Sequence, residues 1–129
     1  MGRWVKGAGK LNYRVLVIPN HRAVSLNKIY SQTHWRARQA LKSRVHDLVR
    51  AYVPAIDKRV CERRVDVEIT AYFRGGRIRD SDNIAAKLYI DGLRGIFLED
   101  DDTRFVRKVT VEAVIKAKED QVIIKLIEL

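Results

Sequence analysis

Cysteine is nearly absent from this 129-residue chain. The single thiol, Cys61, cannot close an internal disulfide, which suits a reducing compartment such as the cytoplasm. It has no second cysteine or nearby histidine in sequence, so it reads as a plain free cysteine rather than a reactive one. The chain has no Cys/His spacing of the zinc type and no Gly-rich phosphate-binding pattern. No convincing nucleophile triad is visible. No apolar run approaches the roughly 20 residues that a membrane span needs. Residues 1–10 are basic with no apolar stretch behind them, so a signal peptide is not expected. The Met-Gly start lacks the Ser or Thr of a myristoylation signal. There is no internal repeat and no low-complexity segment.

What is present fits one soluble globular domain with a single core: 47% apolar and 33% charged residues. The net charge is +10, unevenly distributed. Residues 1–79 carry 18 Lys/Arg against 5 Asp/Glu, whereas residues 80–102 carry 2 against 7. A basic body around an acidic focus fits a polyanion-binding protein that holds a metal at one point. Basic charge alone would equally suit a solvated surface.

Hydropathy periods predict the elements. Residues 1–12 read as a basic flexible arm and 13–129 as one domain. Residues 13–18 read as a first strand ended by Pro19-Asn20, and 21–31 as an irregular connection that reaches into a site. Ala37, Leu41, Val45, Leu48, Val49 and Tyr52 recur every three or four positions, marking an amphipathic helix with Thr33 as N-cap and a stop before Pro54. Its outer face is basic. His34 and His46 on this segment read as structural or surface residues. A polar link over 55–64 leads to a strand in which Val65, Val67, Ile69, Ala71 and Phe73 alternate with polar residues. Gly75-Gly76 breaks it, as an ordinary turn or as a mobile phosphate-contacting loop. Residues 83–93 read as a short helix ended by Gly92 or Gly95, and 109–115 and 122–129 as two further strands. The order implies an α+β domain: a small mixed or antiparallel sheet packed with two helices.

The acids gather in residues 79–103, RDSDNIAAKLYIDGLRGIFLEDDDT. If 79–82 is extended, Asp80 and Asp82 point to the same side. Two carboxylates on one face make a hard oxygen site for Mg²⁺, with Mn²⁺ as a substitute. On a following helix Asn83, Lys87 and Asp91 share a stripe. Asn83 would orient a carboxylate, Lys87 would reach phosphate as a point charge, and Asp91 would hold Lys87. One of Asp100 to Asp102 would return another carboxylate to complete the metal shell. Such a cluster suits phosphodiester hydrolysis. The spacing does not match an EF-hand, which needs its ligands and a central Gly in one loop. The bland alternative is a helix cap followed by a solvated acidic turn.

The run R-D-x-D-N…K-x-x-x-D-G-L…D-D resembles the signature of the RusA family of Holliday junction resolvases of bacteria and prophages. The likeness extends to Ser25-Leu26-Asn27, Tyr30 and the basic helix, and covers about residues 13–115. It implies an α+β homodimer that binds four-way DNA junctions and cuts two opposing strands symmetrically with Mg²⁺. It places the metal-binding aspartates at Asp80, Asp82 and Asp102, with Asp101 a candidate beside Asp102, and the important lysine at Lys87. The gap from Asn83 to Lys87 is one residue longer than in the family pattern. Lys28, Arg36, Arg38, Lys42, Arg74, Arg77 and Arg79 are the candidate DNA contacts. Two other readings compete: a less selective Mg²⁺ nuclease for branched DNA, and a non-catalytic DNA-binding module.

Overall fold

A computed structural model describes residues 2–6, 12–31, 34–53, 61 and 63–129, with residues 2–6 and 12 described by their backbone. The predicted Thr33 cap and most of the 55–64 link lie outside the described residues. The elements in order are β1 (Gly2–Lys6), β2 (Asn12–Pro19), α1 (Leu26–Tyr30), α2 (Trp35–Ala51), β3 (Val65–Tyr72), a single 3₁₀ turn (Ser81–Asn83), α3 (Ala86–Leu93), β4 (Val106–Val114) and β5 (Gln121–Glu128). The five strands form one mixed sheet in the order β1-β2-β5-β3-β4. β3 and β4 are parallel and the other pairs antiparallel. The expected α+β class with a mixed sheet is therefore the class observed. The sequence reading differs in two places. Part of the expected arm, Gly2–Lys6, is a strand that pairs with β2. The expected irregular connection contains helix α1.

Alternation builds the core. Leu16 stands beside Ile124 and Ile124 beside Ile69, while Ile18, Val122 and Ala71 form the next row. All six are at most 1% exposed. Residues of this kind contribute about 1.5–3 kcal/mol each when fully buried, apart from the smaller alanine. In the adjacent row the buried Arg14 pairs with Leu126, and its guanidinium lies 4.3 Å from the centre of the Phe97 ring. Leu41, Val45 and Val49 of α2 recur every four residues and are buried in the core. Arg50 reaches from α2 to the end of α3, donating to the carbonyls of Gly92 and Arg94 at 3.3 Å. A cation at that position also complements the negative end of the helix.

The two predicted helix-ending glycines have different jobs. Gly95 has φ +78°, the left-handed region where glycine carries no Cβ penalty, and lies just beyond the C-cap Arg94 of α3. Gly92 lies inside the helix, where an added Cβ would come within 3.0 Å of Val49 Cβ and 3.3 Å of both its γ-carbons. Gly92→Ala is therefore expected to lower stability despite alanine's better helix propensity. Overpacking costs about 1–3 kcal/mol against a propensity gain of roughly 1 kcal/mol. A shift of the urea midpoint to lower concentration checks this, and an unchanged or higher midpoint would show that the helices have room to separate.

Candidate functional site

The parallel pairing of β3 with β4 decides how the acidic segment is laid out. Asp80 follows the C-terminal end of β3, whereas Asp102 precedes the N-terminal end of β4, where Val65 pairs with Val106. The chain must cross from one end of this strand pair to the other, and α3 makes much of that crossing.

Residues 79–82 are not a continuous extended segment. Asp80 is extended (φ −92°, ψ 126°), but Ser81–Asn83 winds into a 3₁₀ turn, and the Asn83 N–H donates to the Asp80 carbonyl at 3.1 Å. A 3₁₀ turn repeats every three residues, so the same-side argument for Asp80 and Asp82 does not hold. Asp80 and Asn83 instead line one polar cleft of about 370 Å³, together with Ser25, Asn27, Arg77 and Arg79. Asp82 is exposed and is not part of that lining. Neither aspartate makes a side-chain hydrogen bond or ion pair among the described residues.

Asn83 also differs from expectation. Its Oδ1 accepts the backbone N–H of Asn27 at 3.3 Å, at the start of α1, instead of orienting a carboxylate. The Ser25 hydroxyl accepts the Lys28 N–H at 3.0 Å. Two side chains, one of them 56 residues away, thus serve the orphan donors of this short helix. A bridge between Ser25 and Ile84 and a 2.8 Å bond from the Ala85 N–H to the Val24 carbonyl tie the same segments together. Nothing local to α1 in the sequence pointed to Asn83.

Lys87 joins α3 to the acidic run. Its Nζ lies 3.3 Å from Asp91 Oδ1 and 3.3 Å from Asp101 Oδ2. The Asp91 charge, with hydrogen bonds to Asp91 and Asp101, holds the ammonium above its ordinary pKa. The expected Lys87–Asp91 pair is therefore present, although Asn83 precedes α3 rather than sharing its stripe. The adjacent aspartates are also distinguished. Asp101 faces Lys87, whereas Asp102 is clasped by Arg104, with Nη2 2.7 Å from Oδ2 and Nε 3.1 Å from Oδ1. That clasp holds the Asp102 carboxyl below the usual range. Asp100 lies 3.5 Å from Arg94 Nε.

Among the described residues, no group of three His, Cys, Asp or Glu side chains converges as a metal holder. The donors have the hard-oxygen chemistry that Mg²⁺ takes, and Asp101 and Asp102 are each held by a cation, Lys87 and Arg104.

The candidate DNA contacts are distributed around this region. Lys28, Arg36, Arg38, Arg74 and Arg77 are exposed, and Lys42 is half-buried. Arg79 is held over the Phe73 ring, 4.5 Å from its centre, with a buried Nε that has no hydrogen-bond partner. The Gly75-Gly76 segment is pinned rather than free: the Lys116 N–H donates to the Gly75 carbonyl at 3.0 Å, and the Arg74 N–H to Asp120 Oδ1 at 2.8 Å. No described helix is long and apolar enough to cross a membrane.

A second feature escaped the sequence reading. The Val24 N–H donates to the Tyr89 hydroxyl at 3.0 Å, and that hydroxyl lies 2.7 Å from His21 Nε2. Tyr89 is fully buried, and burial pushes its pKa up to about 12. Burial also lowers the pKa of His21. The hydroxyl oxygen thus accepts from Val24 and shares one further hydrogen bond with His21 Nε2. This contact fixes the loop that leads into α1.

No protein-family model matches the sequence, and no curated protein matches it.

Proposed function

We propose that this protein is a Mg²⁺-dependent endonuclease of the RusA type that resolves four-way DNA junctions by paired, symmetric strand cuts. The observation that supports this best is the polar cleft, where the Asp80 carboxylate, unpaired among the described residues, lies among Arg77, Arg79, Ser25 and Asn27. Arginines beside an uncommitted carboxylate suit a phosphodiester held next to a hydrolytic centre. Asp80 and Asp82 would hold the cation, with Asp101 or Asp102 completing the shell once released from Lys87 or Arg104. Such an ion, when bound, supplies water activation and neutralisation of the departing oxygen. Arg77 and Arg79 would orient the phosphate, and the Lys87 ammonium would stabilise charge on its oxygens. In hydrolysis the water oxygen bonds to phosphorus, the sugar oxygen leaves with the bond pair, and the water proton passes to solvent. Paired cuts require two copies, which a two-fold dimer would present to the two-fold junction.

The test is cleavage of a labelled four-way junction with and without Mg²⁺, beside a flap and a linear duplex. Selective cutting of the junction in Mg²⁺ supports the assignment. Equal rates on all three would instead indicate a general branched-DNA nuclease. The absence of a three-carboxylate group among the described residues favours a second reading, a non-catalytic DNA-binding module. That reading expects salt-sensitive binding, no response to Mg²⁺ and no cleavage.

Lys87→Gln separates chemistry from packing. The Lys87 side chain is 78% exposed, so its ion pairs contribute little to stability, and an unfolding change within about 0.5 kcal/mol is expected. Cutting should slow by roughly 10²–10³-fold, as for loss of one preorganised charge at a transition state. A single-turnover rate equal to wild type would remove Lys87 from the catalytic set.

A further inference from the structure

We infer that Tyr30 and Trp35 form a stacking platform for unpaired bases of a DNA strand, placed where that strand leaves the double helix. This rests on the nuclease reading above and names a feature of its substrate. Tyr30 closes α1 and Trp35 opens α2, and their rings are 73% and 67% exposed. Five positions separate them, so their α-carbons lie within about 18 Å of each other. Single exposed apolar residues are ordinary, but two large aromatics at one corner are not.

The exposed rings have no packing role that would account for them. α1 packs only its half-buried Leu26 and Ile29 against the core and leaves Tyr30 outside it. Its five residues are too few to hold a helix by propensity. It is held by the Ser25 and Asn83 caps. The Asn83 contact and the Ser25–Ile84 bridge fasten the corner to the segment that carries Asp80 and Asp82. A strand lying across the platform would therefore lie beside the candidate hydrolytic residues.

Charge selects the occupant. Residues 1–46 contain no Asp or Glu, and Lys28, Arg36 and Arg38 near the two aromatics are all exposed. An acid-free aromatic corner is complementary to a polyanion whose bases offer a ring face. Stacking on aromatics is tolerant of sequence, and basic residues track the backbone beside it. Bases inside a duplex are stacked on one another and offer no free face, so the platform would discriminate branched or single-stranded DNA from continuous duplex.

The experiment uses the full chain without divalent metal and three labelled probes: oligothymidylate, a four-way junction and a blunt duplex. Tyr30→Ala and Trp35→Ala are each expected to weaken oligothymidylate binding roughly tenfold, and the double variant about a hundredfold. Duplex binding should change less than about twofold, because its affinity is carried by phosphate contacts. Tyr30→Phe and Trp35→Phe should retain most of the affinity. Quenching of tryptophan fluorescence by oligothymidylate should disappear in Trp35→Phe, in which Trp4 is the remaining tryptophan. Equal weakening on duplex and oligothymidylate would overturn stacking. So would a shift of the double variant to a smaller species in sedimentation, which would show the aromatics facing a second copy. Failure of wild type to bind any probe overturns the nuclease reading as well. Junction binding and cutting that ignore both substitutions overturn the platform alone.

Discussion

Asp82→Asn, and separately Asp80→Asn, is expected to slow Mg²⁺-dependent cutting of a four-way junction by about a thousandfold or more while junction binding persists. Each change keeps size and hydrogen-bonding shape but removes one negative charge from a carboxylate that has no ion pair among the described residues. Loss of a metal ligand forfeits several kcal/mol of transition-state stabilisation, and each 1.36 kcal/mol is tenfold in rate. Binding rests on the basic body and should be unchanged or tighter, because the substitution removes charge that repels phosphate. Both residues are exposed, so unfolding midpoints should stay close to wild type. The readouts are single-turnover cleavage and gel-shift affinity on the same preparations. Full activity of both variants would end the assignment. The same substitution at Asp102 carries extra information. Its carboxylate is clasped by Arg104, so a large effect there would mean that the clasp opens when DNA and metal arrive.

Tyr89→Phe is expected to destabilise the fold by about 2–3 kcal/mol and to flatten its alkaline pH dependence. The hydroxyl accepts from the Val24 N–H and meets His21 Nε2, so its loss strands two half-buried partners. A buried unsatisfied group costs about 1–3 kcal/mol. Tyr89→Ala adds a cavity and should approach the roughly 3–5 kcal/mol typical of buried aromatics. The folded pKa of about 12 lies above the ordinary value of 10. The unfolded chain therefore loses this proton first, and stability present below pH 10 is lost as pH rises towards 12. About two pKa units correspond to roughly 3 kcal/mol. His21 acts at the other end of the scale. Its folded pKa is depressed by burial, so the unfolded chain takes up that proton first. The associated stability is complete above about pH 6.5 and falls as the solution is acidified. Urea midpoints of wild type and Tyr89→Phe at pH 8, 10 and 11.5 isolate the tyrosine from other titrating groups. Parallel decline of both proteins above pH 10 would refute this account.

These features differ in how much of them a linear reading could see. The periods of two over 65–73 and 122–129 and of nearly four over 37–52 correspond to β3, β5 and α2. One-sided burial writes such periods directly into the sequence. The Lys87–Asp91 pair was equally legible, because an i,i+4 spacing on a helix places two side chains together whatever surrounds them. Helix α1 left no such trace, since its five residues are too few to show a period in Leu26 and Ile29, and it is capped by Asn83 from across the fold. The 3₁₀ turn at Ser81–Asn83 was hidden for a related reason. A one-turn element has no period to display, and it leaves Asp80 but not Asp82 lining the polar cleft.

The sequence by itself determined the α+β class, the main helix, four of the strands and the gathering of acids in one stretch of a basic chain. All of these follow from local hydropathy and composition. Only the tertiary structure decided that β3 and β4 run parallel, so that the segment carrying the acids must cross between their ends. It also decided that Asp101 meets Lys87 while Asp102 meets Arg104, and that Tyr89 reaches His21 across 68 positions. Strand register and long-range side-chain contacts depend on how distant segments compete for the same partners, and no window of sequence contains that competition. For residues 79–103, the composition pointed to metal and phosphate, and the fold determined which carboxylates remain free to take part.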